Sequence, residues 1–350
     1  MLKKTQSVSA ILLLVASISM ATEAPLRVVT TLPDYAGIAK RIGADRVDVQ
    51  AIVHGEQDAH YIRPKPSFVA MVRRADVLID TGLDLEMWLP TVIDKAGNTS
   101  VRSGQVGYVA VSKGLSLLEK PEVVSRIEGG VHLYGNPHIT CSPVNMRVVA
   151  RNIALGLIKN DAAAESEYAE RRDAFIRELD ERLFGEALVN LLGGDTLADL
   201  AGKGRLVSFL EHQTYEDKPL LDQLGGWMKQ MLPLRGKPIV TYHKNWVYFV
   251  TLFGLEEAGT VEPKPGIPPS PRHVLELTGM MKRRQIGLIL AANYFDEQKV
   301  RTVASRVDAE PVIVPLYVGG REGVDDYFGL VDCWVNGLLD AARRKGIIAR

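Results

Sequence analysis

The strongest constraint in this chain is a repeated switch of hydrophobic period. Apolar, β-branched runs at residues 26–32, 47–53, 77–80 and 107–111 alternate with helix-spaced stretches at 35–42, 66–75 and 85–96. Strands separated by helices cannot close as hairpins. They pair in parallel, and their crossover helices cover both faces of the sheet. The alternation resumes late in the chain, with strands at 238–242, 286–291 and 311–315, a helical stretch to about Phe253, and a closing helix over Tyr327–Arg344. Between the two series, 145–157 is amphipathic. Residues 161–183 hold many Ala, Glu and Arg residues and no Gly or Pro, the pattern of one long charged helix.

A length of 350 residues suits two compact domains, each able to bury its own core. The expected fold is therefore α/β: two parallel-sheet lobes joined by a long rigid backbone helix. The expected division is an N-terminal lobe at 25–160, a connecting helix at 161–186 and a C-terminal lobe at 187–350. The stretch 192–232 carries Gly-Gly pairs without a clear period and fits only as an elaboration of the second lobe.

Residues 1–24 read as a secretory signal. Lys3 and Lys4 precede an almost wholly apolar run at 10–18, and Ser19-Met20-Ala21 offers small residues at the cleavage positions. That run is too short to span a bilayer. The expected location is periplasmic, with no cysteine near the cleavage site to carry a lipid. Lys+Arg and Asp+Glu both total 42, so the chain has no basic footprint for nucleic acid; it is expected to be a monomer. Cys141 and Cys333, the only two cysteines, read equally well as a disulfide or as two buried thiols.

Seven histidines stand at 54, 60, 132, 138, 212, 243 and 273. His60 follows the second strand, His138 lies in Gly135-Asn136-Pro137-His138, and His243 directly follows the strand at 238–242. In open parallel sheets ligands collect at the carboxyl ends of strands, so these three imidazoles can face one cleft. Imidazole is a common zinc ligand, and three of them leave one tetrahedral position to fill. Taken singly, each reads as an ordinary loop histidine. His54 and His132, each six residues before one of the three, could serve as alternative ligands or feeders but read first as solvated loop residues; His212 reads as exposed and His273 sits near a helix start.

The chain resembles the solute-binding proteins of zinc and manganese ABC transporters from about Arg27 to Leu339. The resemblance is carried by Val28-Val29-Thr30-Thr31-Leu32-Pro33, by Gln57-Asp58-Ala59-His60 with Arg63-Pro64-Lys65-Pro66-Ser67, and by Ala75-Asp76-Val77-Leu78-Ile79 with Gly82-Leu83-Asp84-Leu85-Glu86-Met87-Trp88-Leu89. Gly135-Asn136-Pro137-His138 and Val240-Thr241-Tyr242-His243 with Trp246-Val247-Tyr248-Phe249 complete it. It implies a metal held between the lobes by His60, His138 and His243, and delivery to an ABC permease and its ATPase in the inner membrane. The chain departs from the family where Cys141-Ser142-Pro143 replaces Leu-Asp-Pro and where no His-rich loop occurs. The loop Val314-Pro315-Leu316-Tyr317-Val318-Gly319-Gly320 lacks the usual Asp ligand, and Ala291-Ala292-Asn293-Tyr294 lacks an alternative Glu. Glu262, before a Pro-Gly turn at 263–266, or a water is then expected at the fourth position.

Three function classes fit three imidazoles. A transport receptor is the expected one, with Zn2+ as cargo ahead of Mn2+ or Fe2+, which favour more oxygen ligands. A zinc-dependent hydrolase needs a general base beside the ion, and no histidine here has one in sequence; no Gly-x-Ser-x-Gly elbow occurs either. A metal-binding adhesin or storage protein would share the same site without the permease. The chain is expected not to be an enzyme.

Overall fold

The computed structural model describes residues 24–120, 132–263 and 267–349. The signal-type segment up to residue 23 and Lys264, Pro265 and Gly266 of the Pro-Gly turn lie outside the described residues.

The expected two parallel sheets are present. In the first, β1 (Leu26–Thr30), β2 (Val47–Ala51), β3 (Val77–Asp80) and β4 (Tyr108–Ala110) run in the order β2-β1-β3-β4. A short antiparallel hairpin, β5 (Thr214–Tyr215) and β6 (Lys218–Pro219), follows far along the chain. The second large sheet contains β7 (Pro238–Thr241), β8 (Glu256–Thr260), β9 (Leu288–Ala292) and β10 (Glu310–Val314) in the order β10-β9-β7-β8. Reversed, that order is β8-β7-β9-β10, the topology of the first sheet. In both sheets the chain leaves the leading strand to one side and then crosses to the other, which opens a crevice beyond the strands' carboxyl ends.

Every residue of β3 and β9 is buried, as strands covered on both faces require. The two-residue period divides the second sheet. Leu288, Leu290, Ala292, Val312 and Val314 face a large apolar core that also contains Val28, Val77 and Leu78 of the first sheet. Val240, Ile289 and Ala291 face a smaller core closed by Val274, Leu277, Met281 and Val300. One core thus runs through both sheets.

The helix Glu165–Phe184 passes through that core, burying Tyr168, Phe175, Leu179 and Leu183. It touches both halves. Glu178 pairs with Arg41 on the helix Pro33–Gly43, while Phe175 packs on Phe328 with ring centroids 5.4 Å apart and Arg182 meets Asp332 at 3.0 Å. The helix does not begin at Asp161 as the sequence suggests. Asp161 has φ −147° and its carboxylate accepts from Arg46 at 2.8 Å and from the Tyr168 hydroxyl at 2.8 Å; a 3-10 turn, Ala162–Ala164, then leads into the helix. The stretch 85–96 is likewise broken. Asp84–Glu86 forms a 3-10 turn and the helix starts at Leu89, with Pro90 in the first turn, where its missing N–H costs nothing.

The closing helix spans Tyr327–Arg344, as its period indicates. The region 192–232 resolves into short helices, Gly194–Gly202, Leu206–His212 and Gly226–Met231, with the β5–β6 hairpin between the last two. Both cysteines are free thiols, Cys141 buried and Cys333 half-buried. Among the described residues no helix is long and apolar enough to cross a membrane.

Candidate metal centre

The loop after β2 continues the sheet ladder, with the Ile52 and Val53 N–H groups donating to the Thr30 and Thr31 carbonyls. It then runs against the loop after β10. A Cβ on Gly55 would come within 2.3 Å of the Gly320 nitrogen, so only glycine permits this approach. Asp58 caps the next 3-10 turn, Ala59–Tyr61. Its Oδ1 accepts from the His60 backbone N–H at 3.0 Å and lies 2.8 Å from His60 Nδ1. Trp88 Nε1 donates to the Ala59 carbonyl at 2.8 Å and pins the turn.

His138 is placed by Asn136, whose Oδ1 accepts from its N–H at 3.0 Å just before the helix Pro143–Asn160. Asn136 also joins the two halves. Its Nδ2 donates to the Lys244 carbonyl at 2.6 Å, and its carbonyl accepts from the Tyr248 hydroxyl at 2.7 Å. His243 lies just past the carboxyl end of β7. The Glu262 N–H donates to the Tyr242 carbonyl at 2.8 Å, which sets Glu262 Oε2 2.8 Å from His243 Nδ1.

The three expected histidines meet. One ring nitrogen from each of His60, His138 and His243 lies within 4.8 Å of the others. The ring centroids are 5.0 Å (60 to 138), 5.8 Å (138 to 243) and 6.0 Å (60 to 243) apart. A carboxylate can only accept from a neutral imidazole, so Asp58 and Glu262 fix the hydrogen on Nδ1 of His60 and of His243. The Nε2 atoms then carry no hydrogen and can bind a metal, the arrangement typical of metal-ligating histidines. His138 differs: it is only 2% exposed and, among the described residues, neither ring nitrogen has a partner. A buried polar group left unpaired is costly, and a metal ion is one partner that this group of rings could hold.

Burial, then repulsion from His60, His243 and His132, holds the His138 imidazole well below its ordinary pKa, so it is neutral and able to ligate at neutral pH. Burial alone would raise the Asp58 carboxyl; the hydrogen bond and attraction of His60, with smaller help from His243, bring it below the usual range.

Of the two candidates for the fourth position, Glu262 or a water, Glu262 lies outside the converging group, which contains no carboxylate among the described residues, and its Oε2 meets Nδ1 of His243. His132, the less favoured alternative ligand in the sequence, also stands beside the cluster. Its Nε2 lies 3.2 Å from His60 Nε2, and its ring centroid is 5.2 Å from that of His60 and 6.3 Å from that of His138. Burial and the neighbouring His60 and His243 push its pKa down to about 4. The only signal for it in the sequence is its six-residue interval before His138. The other histidines lie apart from the cluster: His54 and His212 are exposed, and His273 Nε2 bonds the Thr260 carbonyl at 2.9 Å.

The family model described as "Zinc-uptake complex component A periplasmic" (ZnuA) matches residues 28–182 and 212–341. The manganese ABC transporter substrate-binding lipoprotein PsaA of Streptococcus anginosus is 22% identical over 315 residues, covering 87% of this chain and 85% of its own. The high-affinity zinc uptake system protein ZnuA of Bacillus subtilis (strain 168) is 21% identical over 312 residues, covering 88% and 83%. Among solved structures, a crystal structure of ZnuA superposes with a TM-score of 0.66 at 18% identity, over 91% of this chain and 99% of that one. The Mn-bound periplasmic metal binding protein of Candidatus Liberibacter asiaticus gives 0.63 at 17%, over 89% and 98%. The matched span and shared fold show that the chain belongs to the zinc-uptake complex component A family, the substrate-binding proteins of metal ABC transporters.

Proposed function

We propose that this chain is an exported, high-affinity zinc receptor that hands its ion to an ABC permease and ATPase, with no catalytic role. His60, His138 and His243 are the ligands, and the lobes are 25–160 and 187–350 with 161–186 connecting them. The observation that carries the reading is His138: a buried ring with two unpartnered nitrogens, facing two rings whose outer nitrogens are each held by a carboxylate.

Zinc is favoured over manganese and iron(II) because the converging donors are all nitrogen. Charge is also matched. Three neutral imidazoles leave the ion its full double charge, and Asp58 and Glu262 supply two negative charges one imidazole away. His138 and His243 are 2% and 6% exposed, which encloses a small cargo and leaves little room for a larger substrate at the ion.

Competition against a chromogenic chelator tests this on metal-stripped protein. The expected result is one zinc bound per chain with manganese much weaker, and a lower affinity on moving from about pH 7 to about pH 5.5, since an imidazolium offers no lone pair. A stoichiometry near zero rejects the site. Manganese bound as tightly as zinc rejects the choice of metal.

A further inference from the structure

We propose that His132 supplies the fourth ligand of the ion, giving an all-imidazole tetrahedron that makes this site selective for nitrogen-seeking metals. The inference rests on the metal-receptor reading above and deepens it.

The geometry comes first. Zinc–nitrogen bonds of about 2.0–2.1 Å at tetrahedral angles place two ligand nitrogens roughly 3.3 Å apart. His60 Nε2 and His132 Nε2 are 3.2 Å apart. An ion can therefore bridge this pair, and the His132 ring must swing inward to close on the other two, since it lies outside the group of His60, His138 and His243 whose nitrogens all fall within 4.8 Å of one another. The His132 ring also stands nearly perpendicular to His138, at 89°.

The backbone holds His132 in reach. The next residue, Leu133, donates its N–H to Asp84 Oδ2 at 3.0 Å, and the Gly135 N–H donates back to the His132 carbonyl at 3.3 Å. Gly135 has φ +115°, and a Cβ there would come within 2.9 Å of the Leu118 carbonyl oxygen. The Asn136 N–H donates to that same carbonyl at 2.8 Å. The turn that presents His132 is thus built on the segment that positions His138.

The competing donors are engaged elsewhere or missing. Glu262 is bonded to His243, and the loop from Leu316 to Gly320 has no carboxylate. The hydrogen between the two Nε2 atoms belongs to His132, because His60 already carries its own on Nδ1 toward Asp58. When the metal–Nε2 bond forms, that proton leaves to water and another is taken up from water at Nδ1. The ring stays neutral and the exchange releases no net proton.

Zinc-edge X-ray absorption and chelator competition on the purified protein and its His132→Ala variant decide the matter, with apo circular dichroism as a check on folding. The expected result is four imidazole nitrogens in the wild type, three plus an oxygen in the variant, and at least a tenfold loss of zinc affinity. His132→Asp should recover part of the affinity and raise manganese binding relative to zinc. A wild-type shell of three imidazoles and water, with His132→Ala binding zinc as the wild type does, overturns the proposal and leaves the receptor reading standing. A wild type that takes up no zinc overturns both.

Discussion

The two large sheets share one strand order, but their carboxyl ends contribute unequally to the centre. The first half brings His60 and His138, with Asp58 behind His60 and His132 alongside. The second brings His243 alone, with Glu262 behind it. Equal topology with unequal donors means that, on the proposed reading, the first half would supply most of the ligands and the second would complete the enclosure. The fold supplies the crevice; the loops after β2 and before the helix Pro143–Asn160 decide where the affinity resides.

Removing ligands is the sharpest way to break that asymmetry. His60→Ala and His138→Ala should each lower zinc affinity by more than the roughly 100-fold upper figure for losing an outer-shell partner. His243→Ala should lower it less, because the first half keeps its own imidazoles. Chelator competition ranks the three variants. If His243→Ala is the most damaging, the first half is not the main holder of the ion.

The carboxylates test the same comparison one bond further out. Asp58→Asn and Glu262→Gln keep the shape and remove the charge that orients each ring. Each should cost roughly 10–100-fold in zinc affinity, the range for outer-shell partners of metal-bound histidines. The apo proteins should melt close to the wild type, since both groups lie at the cleft and outside the apolar core. An unchanged affinity in Glu262→Gln would leave His243 oriented by packing alone. The smallest effect belongs to His273→Ala. That ring serves the Thr260 carbonyl, and isothermal titration should find zinc binding unaltered.

Much of this was legible in the sequence for a stated physical reason. Fully buried strands such as β3 and β9 are continuous apolar runs, and the closing helix keeps its 3.6-residue period from Tyr327 to Arg344. β8, Glu-Glu-Ala-Gly-Thr at the sheet's edge, is only partly buried and lacks such a run, so it is faint in sequence. The helices of 192–232 are each under three turns, too short for a period to emerge. In the site, His60, His138 and His243 were marked by their places after strands and beside Pro. The contacts of Glu262 and His132 were not legible because each depends on a partner far away in the chain. For Glu262 that partner is the Nδ1 of His243, and for His132 it is a ring 72 residues earlier.

The single apolar core that runs through both sheets also bears on energetics. Because the two halves share a core, an ion bound at their junction would be linked by mass action to the stability of both. Free zinc at a thousandfold excess over its Kd would add about 4 kcal/mol to the stability of the form that binds it. Cargo occupancy then becomes a property of the entire molecule, so that a loaded and an empty receptor differ in their resistance to unfolding as well as in what they carry.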